Sequence, residues 1–164
     1  MTLPTDSELN SIGVLSRRLI EARVLAPMLT AMAAEFGAER VHAIARDVIT
    51  SIARTQGDEL ARASGGRSLP VLHGTLDRWT ANDALTLDVH EVSDDALSFD
   101  VTRCRYAEMY RELGIPELGA ILSCNRDAAL IEGFNPDVEL RRTQTLMGGA
   151  SHCDFRYSRR KPDE

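Results

Sequence analysis

Three cysteines, Cys104, Cys124 and Cys153, are the residues best suited to covalent or metal chemistry, and each has polar company. Arg103 and Arg105 flank Cys104, with Tyr106 next in line. Ser123, Asn125, Arg126 and Asp127 surround Cys124, and Ser151, His152 and Asp154 surround Cys153. A thiol attacks carbon as its thiolate, a form favoured by a nearby guanidinium or a helix N-terminus. Cys104 ends an alternating apolar run and opens a helical stretch, so its pKa is expected to be lowered. The competing reading is a small buried apolar residue, which is what most free cysteines are. Asp127 follows Cys124 by three residues, so a helix places thiol and carboxylate on one face. That spacing suits two groups acting at one substrate; an ion pair with Arg126 or Arg103 is the alternative. In a strand, His152 and Cys153 point to opposite faces, and His152 shares its face with Asp154.

Cys104, Cys124, Cys153 and His152 also supply a Cys₃His count for zinc. No two cysteines show the short spacing of a zinc knuckle, and strand alternation opposes the joint use of His152 and Cys153. No metal is therefore assigned, with zinc as the alternative. The stretch from Thr143 to Gly149 offers hydroxyls and backbone N–H groups, around Thr145 and Gly148, to a carboxylate or oxyanion. A strand ending in a glycine bulge is the plain alternative. The glycine spacing matches neither a dinucleotide nor a P-loop fingerprint. Lys161 is the single lysine among 19 basic residues, which argues against a phosphate lysine or a Schiff base.

The elements that position these groups read as helices first and strands later. Thr5-Asp6-Ser7-Glu8 has the form of a capping box ahead of a helix over 5–36. Its stripe runs through Leu9, Ile12, Leu15, Leu19 and Val24, then Met28, Leu29, Met32 and Phe36. Pro27 is expected to kink or restart it. A second helix covers 39–63, with Val41, Ile44, Ala45, Val48, Ile49 and Ile52 as its stripe, and a third covers 69–80. Strict alternation in Leu85, Leu87, Val89 and in Leu97, Phe99, Val101 predicts a hairpin of 84–92 and 96–103. Helices follow at 105–113 and 117–131. A third strand runs from Val138 toward Leu146, a fourth covers 152–157, and the polar tail from Ser158 to Glu164 is expected to fray. The fold class is α+β: N-terminal helices, then an antiparallel sheet of about four strands with interleaved helices.

At 164 residues the chain fits a single domain, with 1–80 as helical scaffold and 84–158 as the part holding the site. Residues 1–80 hold nine basic and nine acidic residues, so the net charge of −6 lies wholly in the second half. That acidic bias argues against nucleic-acid binding. No apolar run approaches the ~18–20 residues that span a membrane. An odd cysteine count with no secretory signal points to a reducing cytoplasm. The apolar N-terminal helices suggest a homo-oligomer.

An ordered set of segments also resembles a known family. The set is Cys104 to Tyr110, Leu113-Gly114, Cys124-Asn125-Arg126-Asp127, Gly133-Phe134-Asn135-Pro136, Arg142 to Gly149, and Cys153 to Tyr157. Over about 85–158 it resembles the L-2-amino-thiazoline-4-carboxylic acid hydrolase family. The resemblance implies hydrolytic opening of a small cyclic amidine or amide at a C–N bond, without a cofactor. In the founding activity, water attacks C2 of the thiazoline and N-carbamoyl-L-cysteine results. For such chemistry, Cys104 or Cys153 would attack as thiolate, or Asp127 or His152 would activate water. Asp127 or Asp154 would meet the amidine nitrogen. Arg103, Arg105 or Arg142 would hold a substrate carboxylate, with Tyr106 beside them, Cys124 in the same pocket, and Thr145 and Gly148 shaping it. A more distant similarity to ligand-binding domains of the 4-vinyl-reductase type implies the alternative, a small-molecule-binding or sensor domain without turnover.

Overall fold

The structure, a computed structural model, describes Pro4 and residues 6–160. Alternating apolar residues build one antiparallel sheet from β1 (Leu85–Val92), β2 (Ala96–Cys104), β3 (Val138–Arg141) and β4 (Cys153–Arg159), in the order β1-β2-β4-β3. Leu97, Phe99 and Val101 of β2 are buried on its inner face. The register sets Leu85 opposite Cys104, Phe99 opposite Phe155 and Val101 opposite Cys153. Facing residues of an antiparallel pair share one side of the sheet, so the Phe99 and Phe155 rings stack with centroids 4.9 Å apart. The outer face is polar: Asp100 accepts from Arg156 at 2.7 Å and lies 3.1 Å from His90.

Helices cover the inner face. A short α1 (Asp6–Leu9) and a 3₁₀ turn lead to α2 (Val14–Phe36) and α3 (Ala38–Ala63), which are joined at Gly37. Gly37 has φ 88°, a conformation that ends one helix and starts the next only because glycine lacks a Cβ. Next come α4 (Leu69–Gly74), α5 (Asp77–Thr80), α6 (Arg105–Glu112) and α7 (Pro116–Gly119). A π-helical segment (Ala120–Cys124) then leads into α8 (Arg126–Phe134). α3 and α8 touch backbone to backbone. A Cβ on Gly57 would lie 2.0 Å from the Leu130 carbonyl oxygen, and one on Gly133 would lie 1.8 Å from that of Arg54. No helix among the described residues is long and apolar enough to cross a membrane.

Several expectations need correction. The helix over 5–36 is interrupted at Gly13, whose φ is 88°. It then runs through Pro27 without restarting, because Pro27 and the Arg23 carbonyl it leaves without a helical donor lie on the exposed side. The buried face of α2 is Val14, Arg18, Ala22 and Ala26, while Val24, Met28, Met32 and Phe36 are exposed. Close helix packing selects the small residues and turns the large ones outward; Ile44, Val48 and Ile52 of α3 are exposed likewise. The third helix divides into α4 and α5, and the helix over 117–131 divides around the π-helical segment. β3 stops at Arg141 because the Asp154 carboxylate takes the Thr143 and Gln144 N–H groups that a longer ladder needs. β4 continues through Ser158 and Arg159. The expected capping box around Thr5 and the tail residues 161–164 lie outside the described residues.

Candidate active site

Between the helices and the inner face of the sheet lies a cavity of about 630 Å³, and all three cysteines line it. Cys104 arrives as the last residue of β2 and the N-cap of α6, where its Sγ accepts from the Ala107 N–H at 3.4 Å. Cys124 closes the π-helical segment, an irregularity often found at functional sites. Cys153 opens β4 on the inner face, and its Sγ accepts from the Leu146 N–H at 3.1 Å. That bond draws the 142–152 loop over the thiols. Met147 of the loop also lines the cavity.

The thiols rest protonated. Burial pushes Cys104 up to about 11, helped by the neighbouring Cys153 and opposed by the Ala107 N–H. Burial pushes Cys124 up to about 12, with the Asp127 charge adding to it. Cys153 moves the same way, again chiefly through burial. This overturns the lowered pKa expected for Cys104. Its flanking arginines point elsewhere: Arg103 pairs with Glu108 at 2.9 Å, and Arg105 donates to the Asn82 carbonyl at 2.9 Å. Both are exposed and neither lines the cavity.

Asp127 and Arg142 form an ion pair on the cavity wall. Arg142 also donates to the Cys124 carbonyl at 3.1 Å and lies 5.0 Å from the Phe155 ring centroid, a cation–π contact. Burial drives the Asp127 pKa upward; Arg142 opposes this and only partly offsets it. Asp127 is thus a stronger base than a solvated carboxylate. Its partner is Arg142, across the chain, and not the Arg126 or Arg103 that sequence proximity suggests.

Two buried arginines of the cavity wall were given no site role from the sequence: Arg18, and Arg126, which was named only as a neighbour of Cys124 and a possible ion-pair partner of Asp127. Arg18 and Arg126 are each only 7% exposed. They share one carboxylate, Glu21: Arg18 pairs with it directly and Arg126 lies 3.6 Å away. Arg126 is further held by the Leu122 carbonyl at 2.8 Å and by Gln56 at 3.1 Å. Burial, then the Arg18 charge, pulls the Arg126 pKa down to about 10. Three guanidiniums, those of Arg17, Arg18 and Arg126, gather at this one carboxylate, and the two buried ones at the cavity wall make a setting for a ligand anion. The signal was a charged residue at i+4 within the small-residue row Val14, Arg18, Ala22, Ala26.

The remaining expected site residues divide. Tyr106 lines the cavity, buried, with its hydroxyl donating to the Trp79 carbonyl at 3.5 Å. Thr145 and Gly148 lie off the wall and close a turn, the Gly148 N–H donating to Thr145 Oγ1 at 3.0 Å. Asp154 anchors the same loop. Burial opposes its ionisation, yet the Thr143 hydroxyl and the Gln144 and Thr143 N–H groups hold it down at about 2. His152 contacts Gln144 and Ser151 and faces Asp100 at 3.8 Å, away from the thiols. Among the described residues no group of three or more His, Cys, Asp or Glu is disposed to hold a metal ion, so the Cys₃His set does not assemble.

A trafficking protein particle complex subunit 3 from Naegleria fowleri, covalently bound to palmitic acid, matches with TM-score 0.55 and 12% identity, over 88% of this chain and 96% of that one. The phenol-responsive sensory domain of the transcription activator PoxR, with phenol, matches with TM-score 0.47 and 14% identity, over 97% of this chain and 76% of that one. No curated protein matches. A family model described as L-2-amino-thiazoline-4-carboxylic acid hydrolase matches residues 17–157, a span that holds every residue lining the cavity except Val14, and the chain belongs to that family.

Proposed function

We propose that the protein hydrolyses a small cyclic amidine or amide bearing a carboxylate, in the manner of L-2-amino-thiazoline-4-carboxylate opening. One observation carries this reading: the cavity of a chain in this family brings together a half-buried base, Asp127, and two buried guanidiniums, Arg18 and Arg126. The cation pair takes the substrate carboxylate, a role the sequence reading gave to Arg103, Arg105 or Arg142. Arg142 holds Asp127 in place.

Asp127 orients and deprotonates a water against the electrophilic C2 carbon. Water adds across the C2=N bond, its oxygen to carbon and one proton to the ring nitrogen. Asp127 then takes the proton of the new hydroxyl as the carbonyl forms, and passes it to the departing ring atom. For the thiazoline, atom balance puts the break at the C2–S bond, since the product keeps its carbamoyl group on nitrogen. A lactam or hydantoin would instead open at C–N. The thiols, protonated at neutral pH, line and dry the reacting end and take no proton away.

The second reading is a binding or sensor module that holds its ligand without turnover. It is favoured by the resting thiols, and by a protein of the same fold that carries palmitic acid covalently. Incubation with 2-aminothiazoline-4-carboxylate, lactams and hydantoins, followed by mass spectrometry, separates the two. A mass gain of one water supports hydrolysis. Thermal stabilisation with no new product supports binding alone. The exposed apolar row on α2 and α3 is read as the surface through which two copies pair.

A further inference from the structure

The reacting ring is far smaller than the space that encloses it. The thiazoline acid has about nine non-hydrogen atoms, whereas 630 Å³ has room for about twenty units at roughly 30 Å³ each. The thiols, Asp127 and the arginines account for one end. Toward α3–α5 the lining is apolar, with Leu60, Leu72, Leu76 and Trp79 on the helical side facing Phe99 and Phe155 of the sheet, and Arg142 touches Phe155 where this limb meets the polar end. None of these six side chains carries a charge. Exposed Glu59, Arg62 and Ala63 also line the cavity, so the limb opens toward solvent there. Apolar walls around open space lack dispersion partners, and such space takes up apolar ligand atoms.

We propose that the ring is the head of a longer molecule, and that an apolar alkyl or aryl substituent of up to about ten non-hydrogen atoms lies in this limb. The inference rests on the hydrolytic reading of the head site and names the substrate class within it: a carboxylate-bearing ring with an apolar tail. Leu60, Leu72, Leu76 and Trp79 select the tail, while Asp127 acts on the head.

The test is a chain-length series on the full protein: 2-aminothiazoline-4-carboxylate with hydrogen, butyl or octyl on its exocyclic nitrogen. Calorimetric Kd and mass-spectrometric turnover are measured together. The expected Kd falls about fourfold per methylene buried until the limb is full. Leu76→Trp narrows the limb from the helical side and Leu87→Trp from the sheet side. Both positions are half-buried, and either variant that melts like the parent is expected to flatten the chain-length dependence. Equal Kd across the series, an octyl gain that survives in the folded variants, or no binding by any homologue overturns the proposal. A chain-length gain without turnover keeps the limb and defeats the hydrolytic reading; turnover of the unsubstituted ring with no gain does the reverse.

Discussion

Replacing Arg142 with Met tests how the Asp127 carboxylate is held. The substitution removes the ion pair, the hydrogen bond to the Cys124 carbonyl and the contact with Phe155, while a flexible apolar chain fills part of the space. Removing one partner of a fully buried pair costs about 3–5 kcal/mol. Here the side chains keep 16% and 34% of their exposure, much of it toward the cavity, so screening lowers the expected loss to about 2–4 kcal/mol. For a chain of this size that is a Tm drop of about 5–12 °C. The loss should also depend on pH. Without Arg142, burial raises the folded-state pKa of Asp127 further above its unfolded value. A raised folded pKa contributes stability that is full below the unfolded pKa and disappears as pH rises through the folded one. The deficit of Arg142→Met should therefore be largest near pH 7.5 and shrink toward pH 5. Urea melts at both pH values, on the parent, Arg142→Met, Asp127→Asn and the double variant, measure this. Asp127→Asn in the Arg142→Met background should recover most of the loss, since no buried charge remains. An equal deficit at both pH values, with a double variant no more stable than the single, would show that Arg142 does not hold the Asp127 charge.

Three further outcomes follow. Gly133→Ala should destabilise by at least about 3 kcal/mol, because its Cβ would lie 1.8 Å from the Arg54 carbonyl oxygen and force α8 off α3; a urea midpoint close to the parent's would contradict the packing. Alkylation of the folded protein by iodoacetamide at pH 8 should run roughly 100-fold slower than that of a free cysteine and accelerate toward pH 11, because burial holds Cys104 at about 11 and Cys124 at about 12; rapid labelling at pH 8 would show a thiolate. In light scattering the chain should behave as a dimer, and Val48→Glu, at a position 52% exposed, should make it a monomer without lowering its Tm; a monomeric parent would leave the α2–α3 face without that role.

Local pattern revealed the sheet and long-range packing did not show through. The alternation of Leu97, Phe99 and Val101 predicts β2, but the inward direction of Cys153 follows only from its pairing with Val101, which the sequence does not show. Alternation sets His152 and Cys153 on opposite faces, and the fold turns His152 outward toward Asp100, which leaves it out of the water-activating role the resemblance implied. The face of α2 and half of the α3 stripe were misread, since Val41 and Ile49 are buried as expected but hydrophobicity alone ranks Val24 and Ile44 above Ala22 and Ala53, whereas the packing buries the alanines. Three cysteines were identifiable as a chemical cluster, but their ionisation was not. Sequence neighbours suggested that Arg103 and Arg105 would activate Cys104, and the fold turns both outward. Arg18 was missed because it lies more than eighty residues from every cysteine and meets them only through the packing of α2.

Asp127, and no thiol, activates the attacking group in the proposed reaction. Turnover of 2-aminothiazoline-4-carboxylate by Asp127→Asn, beside Cys104→Ser, Cys124→Ser and Cys153→Ser, all checked for parental melting, tests it most directly. The expected loss in kcat is about 10²–10⁴-fold for Asp127→Asn and at most about tenfold for each serine variant. A serine variant that folds but is inactive, beside an Asp127→Asn that keeps the parental rate, would contradict it.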